Sequence, residues 1–239
     1  MKTSSYIQDM GALENKMVEQ FRTATVLSRL SSLPRSVLGN ILLQRRLFAL
    51  ESFERVYNHA ICGFVDEKVK EICREIVCDE YPSAGPNHRE DLVYDLMFIG
   101  MKRAKILGAT MSSGTAAAVD GVIDLVRYRP DCEGNHLHFD VQGVAAMRTY
   151  EILAGEETEL LFSELKRTYG LTEEKSHFYW PHVVHDKKRA HLGESGETNA
   201  DRFGVILPQL VDSEEKLVKA TETIQKAGDV RIGFYKQFE

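Results

Sequence analysis

Residues 36–63 read SVLGNILLQRRLFALESFERVYNHAICG, and this stretch decides the fold class. Its apolar side chains recur at intervals of three and four residues, which is the spacing of one face of an α-helix. They are Val37, Ile41, Leu42, Leu47, Leu50, Phe53, Val56, Tyr57 and Ile61. The pattern predicts a long amphipathic helix, with Ser36 as its cap and Gly63 as an interruption before a second helix over 65–81.

The same periodicity covers most of the remaining chain, and prolines punctuate it. It predicts further helices over 88–107, 113–127, 141–154, 156–169, 172–192 and 212–227, and one more within the first thirty residues. Residues 136–142 alternate and indicate an extended connector, and residues 193–199 form a polar loop. Because no repeat or linker divides the chain, we expect one all-α helical-bundle domain spanning 1–239.

Composition restricts the class of partner. The net charge is −6, and no block of lysine and arginine appears, which argues against binding nucleic acid or anionic membranes. The sequence also contains no apolar run long enough for a membrane span and no signal-peptide core, so we expect a cytoplasmic protein that acts on a small molecule. Acidic helical bundles often dimerise, which favours a homodimer.

His182 and Asp186 are the first candidates for chemistry. They stand four residues apart in a predicted helix, a separation of about 400° that places an imidazole and a carboxylate on one face. Four of the eight histidines of the chain lie within residues 177–191. A metal fits this pair only if other helices supply further ligands.

Two other places supply such ligands. Glu80 ends one predicted helix and His88 begins the next across a Pro/Gly-rich corner, which brings helix ends close together. Glu151 lies among apolar neighbours in a later helix, and a buried carboxylate needs a proton, a partner or a metal. A set of carboxylates and imidazoles contributed by several helices suits a pair of iron or manganese ions better than zinc.

Simpler interpretations exist for each residue taken alone. Glu80 and His88 are compatible with solvated helix ends, and Glu151 with a surface position or a pair with Arg148 across one turn. The histidines of residues 177–191 also suit the wet face of a helix. The joint occurrence of all these groups favours the metal site.

The order of these residues resembles the heme-oxygenase-like diiron oxidase and oxygenase superfamily. The resemblance covers about residues 40 to 195 and runs from Glu80 and His88 through Glu151 to His182 and Asp186. It implies a seven-helix up-and-down bundle that holds two Fe(II) ions and uses O2 to oxidise a small molecule, in particular an amino acid. More narrowly, the chain resembles cyanobacterial members of about this length, including a nitrile synthase that converts a brominated tryptophan into an indole nitrile.

One position departs from the superfamily pattern. The last motif of the superfamily would place a histidine at position 189, where this chain has Arg189, and a guanidinium stays protonated and does not bind metal. On an ideal helix His185 lies about 60° from His182, whereas His191 needs a one-residue bulge to return to that face. We therefore predict His185 as the sixth ligand, with His191 as the alternative. If neither reaches the metal, we expect the second iron to be weakly held or absent in the resting protein.

Substrate contacts and rival functions stay open at this level. The candidates for binding a substrate carboxylate are Arg148, Lys187 and Arg189. The candidates for an apolar slot are Tyr94, Met97, Phe98, Phe178, Tyr179 and Trp180. The rival functions are a metal-free, thiaminase-like hydrolase with Cys78 or Cys132 as nucleophile, and a helical interaction protein without chemistry.

Overall fold

The computed structural model describes residues 2–81, 87–127, 135–186 and 189–239, and the regular structure in these ranges is entirely helical. It contains eleven α-helices, of which three have eight residues or fewer. They are α1 (Lys2–Thr23), α2 (Thr25–Ser28), α3 (Arg35–Gly63), α4 (Glu67–Glu80), α5 (His88–Phe98), α6 (Arg103–Leu107), α7 (Ser113–Val126), α8 (Asn135–Tyr169), α9 (Tyr179–Asp186), α10 (Asn199–Leu210) and α11 (Glu214–Lys236). A 3-10 turn (Leu30–Ser32) precedes α3. The predicted all-α class is confirmed.

Helix α3 follows the pattern that predicted it. Ile41, Leu42, Val56 and Tyr57 are fully buried on its inner face. The predicted cap was wrong, because Pro34 stands at the N-cap position and its carbonyl oxygen accepts the first helical hydrogen bonds. A proline serves there since its fixed φ suits the entry to a helix.

The helix ends predicted around the candidate ligands are confirmed. Helix α4 ends at Glu80 and α5 begins at His88. The Asp66 carboxylate accepts the Lys68 backbone N–H at 2.8 Å and so caps α4. The Asn87 side chain accepts the Glu90 backbone N–H at 3.0 Å and caps α5. The Pro/Gly-rich corner itself lies outside the described residues.

Helix α8 corrects two predictions. The proposed extended connector over 136–142 is helical, and the helices predicted over 141–154 and 156–169 are one continuous element. Val141, Val144 and Ala145 are buried with helical spacing, so packing against the core overrides the short alternation. Gly155 does not break α8. Its missing side chain instead leaves room for the close approach of Asp186 on α9.

The segments after α8 differ most from expectation. In the described part of the helix predicted over 172–192, only Tyr179–Asp186 is α-helical. Helix α10 was not predicted, and Pro208 lies inside it. A capping box between Thr198 and Asp201 starts α10 despite the proline.

Two further predicted helices have different bounds. The helix over 88–107 divides into α5 and α6 at Gly100, whose φ of +94° favours glycine. The C-terminal helix, predicted over 212–227, extends to Lys236.

The bundle is organised around α8, which packs chiefly against α11, α10 and α9, while α3 packs against α7 and α4. Within the described ranges, no helix is both long and apolar enough to cross a membrane. Helices α3, α4, α5, α8 and α9 together surround the candidate site.

Candidate metal centre

A cavity of about 450 Å³ lies between these helices. The six predicted metal ligands all line it: Glu80, His88, Glu151, His182, His185 and Asp186. Residues that lie up to 106 positions apart, as Glu80 and Asp186 do, therefore face one space. This convergence is what a site built in a bundle core requires.

Glu80, His88 and His182 form the compact part of the site. Their candidate ligand atoms all lie within 4.8 Å of one another, and each side chain is partly buried. The imidazoles of His88 and His182 meet edge to face with ring centroids 4.8 Å apart. Glu151, His185 and Asp186 lie outside this compact cluster, although they share the cavity.

The hydrogen bond of His182 determines which of its nitrogens is free. Nδ1 lies 2.7 Å from the Phe178 carbonyl oxygen, which can only accept, so Nδ1 carries the proton and Nε2 keeps a lone pair. Burial lowers the pKa of His182 and favours the neutral imidazole. A neutral histidine whose second nitrogen donates to a fixed oxygen is the usual form of a metal ligand.

His88 and Glu80 are paired with each other. His88 Nδ1 lies 2.6 Å from Glu80 Oε2, and this hydrogen bond raises the pKa of His88. Burial raises the pKa of Glu80, but the hydrogen bond and the charges of His88, His182 and His185 lower it by more, so it lies below its usual value. Glu80 is therefore held as a carboxylate.

Asp95 fixes the position of α9 relative to α5. Its fully buried carboxylate accepts backbone N–H groups from His177 at 2.7 Å and from Phe178 and Tyr179 at 3.0 Å. It also accepts the Ser176 hydroxyl at 2.7 Å. Because Asp95 lies two turns after His88 on the same helix, it ties the start of α9 to the helix that carries His88.

Glu151 lies deeper, beside α3. The Tyr57 hydroxyl donates to Glu151 Oε1 at 2.6 Å. Burial, with smaller contributions from the Asp186 and Glu80 charges, raises the pKa of Glu151 to about 7 despite this hydrogen bond. The suggested pair with Arg148 is wrong, because Arg148 binds Glu14 on α1 through Nε at 2.6 Å and Nη2 at 3.1 Å.

Asp186 packs directly over Gly155. A Cβ atom on Gly155 would lie 2.9 Å from the Asp186 Cβ, closer than two such atoms approach, so glycine permits this contact between α8 and α9. Asp186 Oδ1 lies 2.8 Å from His185 Nδ1, and this hydrogen bond raises the pKa of His185.

The structure separates the alternatives for the last ligand. His185 lines the cavity, whereas His191 is exposed and lines neither it nor a second, adjacent cavity. That second cavity, about 300 Å³, is lined by Arg189 together with Arg22, Glu156 and Glu159, and it shares Glu151 and Asp186 with the first. Of the two candidate histidines, His185 is therefore the one that lines the cavity with the other predicted ligands.

Most of the candidate substrate contacts do not line the first cavity. Arg148 is buried and fully engaged with Glu14 and the Ala200 carbonyl oxygen, Arg189 lines only the second cavity, and Lys187 lies outside the described residues. Of the aromatic candidates, Phe178 lines the first cavity. Tyr94, Met97 and Phe98 are exposed large side chains, while Tyr179 and Trp180 pack in or against the core.

Several residues of the site were missed by the sequence analysis. Tyr57 was identified only as a core position of α3, and its hydroxyl gave no separate signal. Asp95 has a weak signal, because it stands seven residues after His88 and so shares its helix face. Arg45, Phe53, Tyr81 and Tyr150 also line the cavity and gave none.

Comparison with known proteins identifies the fold. The sequence matches no protein-family model and no curated protein. Among solved structures, the chain is similar to a CADD-like protein of unknown function from Nostoc punctiforme PCC 73102, with 14% identity, a TM-score of 0.69 and coverage of 100% of this chain and 94% of that one.

Two further structures agree. A domain of unknown function with a heme oxygenase-like fold from Shewanella denitrificans OS217 has 11% identity and a TM-score of 0.68, and the alignment covers 97% of this chain and 89% of that one. A TenA homologue from P. horikoshii OT3 has 12% identity and a TM-score of 0.62, with coverage of 98% and 97%. At such identities the likeness concerns the fold alone, and the chain has the heme-oxygenase-like all-α fold that its residue pattern resembled.

Proposed function

We propose that the chain is a nonheme diiron oxidase or oxygenase that uses O2 to oxidise a small molecule, in particular an amino acid. The observation that carries the proposal is the cluster of Glu80, His88 and His182, whose candidate ligand atoms lie within 4.8 Å of one another on one wall of a cavity. A carboxylate with two imidazoles is a common ligand set for nonheme iron.

The charges around the cavity fit two cations. Glu80, Glu151 and Asp186 are three carboxylates on one cavity, and in the described part of the chain no lysine or arginine forms an ion pair with them. Glu80, His88 and His182 would bind one ion. Glu151, Asp186 and His185 would bind the second. The raised pKa of Glu151 has the same cause, since burial among carboxylates disfavours its charge until a cation is present.

The remaining residues hold and shield the site. Two Fe(II) ions bound there would supply the electrons that reduce O2 while the substrate is oxidised. Tyr57 orients Glu151 by its hydrogen bond, and Asp95 holds α9 so that His182 faces His88. Phe178 lies against His182 with ring centroids 4.1 Å apart, which covers that imidazole with apolar surface and limits access of water.

The substrate class is an amino acid in this proposal, and the narrower version is the conversion of a halogenated tryptophan into an indole nitrile. A cavity of about 450 Å³ with aromatic walls from Phe53, Tyr81, Tyr150 and Phe178 supports an apolar side chain of that size. These features favour an aromatic substrate without selecting the reaction.

Iron content tests the metal site. Anaerobic loading with Fe(II), followed by gel filtration and elemental analysis, should give about two iron ions per wild-type chain. Glu80→Ala and His182→Ala should lose iron because each removes a ligand from the compact cluster. The matched control is His177→Ala, since His177 is exposed at the start of the same segment, packs on Tyr94 and does not line the cavity. Equal iron content per chain in the wild type and the three variants would contradict the proposed metal site.

Oxygen consumption tests the reaction. The iron-loaded protein should consume O2 faster with one or more members of a panel of amino acids that includes tryptophan and its 5-bromo and 5,7-dibromo derivatives. Consumption should require iron and should be absent in His182→Ala. Product analysis by mass spectrometry then distinguishes a nitrile from a hydroxylated or cleaved product. A loaded protein that binds iron but consumes no O2 with any member speaks against an amino-acid oxidase.

The alternative is a metal-free hydrolase, and the similarity of fold to TenA-family structures keeps it as a candidate. Among the cysteines of the described ranges, none lines the cavity, and Cys78 is exposed. Burial raises the pKa of the Cys73 thiol to about 12, which makes it a poor nucleophile. Cys132 lies outside the described residues, so Cys132→Ala with a thiamin-hydrolysis assay tests this alternative directly.

A further inference from the structure

A second buried cluster of charged residues adjoins the cavity, and it has the opposite sign. Arg45 Nε on α3 binds Glu157 Oε2 on α8 at 2.8 Å, and Arg231 Nη2 on α11 binds the same oxygen at 2.6 Å. The Tyr235 hydroxyl donates to the other carboxylate oxygen at 2.5 Å. All three charged side chains are at most 5% exposed. Two guanidiniums therefore share one carboxylate, which leaves one positive charge in excess inside the protein.

The hydrogen bonds of this cluster are incomplete. Arg45 Nη1 is buried and has no hydrogen-bond partner, and the same holds for Nε and Nη1 of Arg231. A buried guanidinium N–H without an acceptor is costly, and native proteins rarely leave one so. Arg45 lines the cavity, whereas Arg231 is stacked over the Phe48 ring at 4.5 Å. Of the two arginines, Arg45 is therefore the one that combines an unpartnered N–H group with a position on the cavity wall.

Arg45 is also linked to the candidate metal centre. Its guanidinium carbon lies 5.0 Å from the centroid of the Phe178 ring, and that ring lies 4.1 Å from the His182 imidazole. The Thr158 hydroxyl, also on the cavity wall, lies 3.4 Å from Arg45 Nη2. A molecule bound at Arg45 and lying along Phe178 would reach the metal ligands with its other end.

We infer that Arg45 binds the carboxylate of a small-molecule substrate, and that this contact orients the substrate across Phe178 toward Glu80, His88 and His182. The inference deepens the proposed function and rests on it for the reaction, although the binding step itself needs no metal. One unpartnered guanidinium nitrogen, Nη1, suits a carboxylate oxygen, whereas a phosphate dianion would use more donors than Arg45 has free. Arg45 thus takes the role that the sequence suggested for Arg148, Lys187 or Arg189.

The direct test uses wild-type protein without metal and simple probes. Arginine side-chain ¹⁵N signals are followed by NMR during titration with phenylacetate, with phenylacetamide and with phenethylamine. Phenylacetate should shift the Arg45 signal, which is assigned from its loss in Arg45→Lys, and the two probes without a carboxylate should not. An unchanged Arg45 signal with phenylacetate, or equal shifts with the amide, would overturn the inference. The comparison among the three probes is made on the wild-type protein, and Arg45→Lys serves only to assign the signal.

Variants then separate the substrate site from the metal site. Arg45→Lys keeps a cation beside Glu157 but removes Nη1, so affinity for phenylacetate should fall about tenfold or more while iron content stays at the wild-type value. The matched control is Arg231→Lys, which alters the same cluster away from the cavity wall and should change affinity less than about threefold.

The outcomes distinguish this inference from the proposed function. Carboxylate binding without iron binding would support Arg45 as an anion site and reject the diiron proposal. Iron binding with no effect of Arg45→Lys on carboxylate affinity would reject the role of Arg45 alone. Loss of affinity in Arg231→Lys equal to that in Arg45→Lys would show a general effect on the cluster and would also reject it.

Discussion

Two glutamates on α8, six residues apart, have opposite surroundings. Glu157 is fully buried and binds two arginines and a tyrosine, so its pKa lies below the usual range although burial alone raises it. Glu151 lines the cavity, receives a hydrogen bond from Tyr57, and has Asp186 and Glu80 as charged neighbours. Glu157 is held by two arginines, whereas Glu151 forms no ion pair with a lysine or arginine of the described residues.

This difference separates structure from chemistry within one helix. A carboxylate surrounded by cations contributes to the folded state and is poor at binding a metal, because its oxygens are already used. A carboxylate left among other carboxylates is unfavourable until a cation arrives, which is the condition of a metal ligand. The following changes test that contrast, beginning with the largest expected effect.

Replacing Glu157 should cost the most stability. Glu157→Gln leaves two buried guanidiniums without a counter-charge, and we expect the free energy of unfolding to fall by about 3–5 kcal/mol. Urea unfolding of the metal-free protein at pH 7 measures it. The matched control is Glu173→Gln, which breaks an exposed pair with Lys166 and should change stability by less than about 1 kcal/mol. Similar losses in the two variants would contradict the structural role of Glu157.

Replacing Glu151 should do the reverse in metal-free protein. Burial raises the pKa of Glu151 in the folded state from its ordinary value of 4.5 to about 7. Between these values the folded protein holds a proton that the unfolded chain has lost, so stability falls as pH rises through this window. In Glu151→Gln we expect the free energy of unfolding to lose about 2 kcal/mol less than in the wild type as pH rises through this window. This value is smaller than the full pKa shift would give, because Glu151 is only partly buried at the cavity.

Urea unfolding of metal-free wild type and Glu151→Gln at pH 5, 6, 7 and 8 gives the measurement. The same variant should also bind less iron, so the residue that is unfavourable without metal becomes necessary with it. A pH profile identical to that of the wild type would mean that Glu151 is not held among carboxylates.

Gly155 lies between the two glutamates and tests the packing of α9. Gly155→Ala places a methyl group 2.9 Å from the Asp186 Cβ, so α9 must shift. We expect a loss of about 1 kcal/mol and a lower iron content. Gly11→Ala is the control, since a methyl group there meets nothing within 4 Å and alanine favours the helix. Unchanged iron content in Gly155→Ala would remove Asp186 from the ligand set.

The reactivity of Cys73, whose thiol lies near Glu151, gives the smallest effect, because the measurement changes no residue. Burial raises the pKa of Cys73 to about 12, and the Glu151 charge adds to this. Iodoacetamide at pH 8, followed by peptide mass spectrometry, should label the exposed Cys78 well before Cys73. Labelling in urea, where Cys73 should react normally, provides the control. Equal rates in the folded protein would show that Cys73 is accessible.

The sequence predicted those parts of the site that depend on local pattern. His182 and Asp186 follow from helical spacing, and Glu80 and His88 follow from the ends of two helices. The structure brings them to one cavity, while their service as metal ligands stays a prediction for the iron measurements. The all-α class followed from the helical periodicity that α3 shows and that most of the chain repeats.

The parts that were missed depend on contacts between distant segments. Arg45 and Glu157 are 112 positions apart, so no local sequence pattern predicts that they pair. The sequence around Glu157 is polar, with Glu156, Thr158 and Glu159 beside it, yet Glu157 is fully buried. Only the packing of α3 and α11 decides that this glutamate meets arginine. The course of the chain before α9 depends on Asp95, which lies 82 positions before His177.

The carboxylate of Asp95 makes the start of α9 a pivot. Backbone groups of residues 177–179 are held there, and at 1.5 Å per residue Asp186 lies about 10 Å from the held end and His182 about half as far. A tilt of about ten degrees would then carry Asp186 by about 2 Å and His182 by less than 1 Å. A helix held at this end would therefore keep His182 close to Glu80 and His88 under a tilt that displaces Asp186 more.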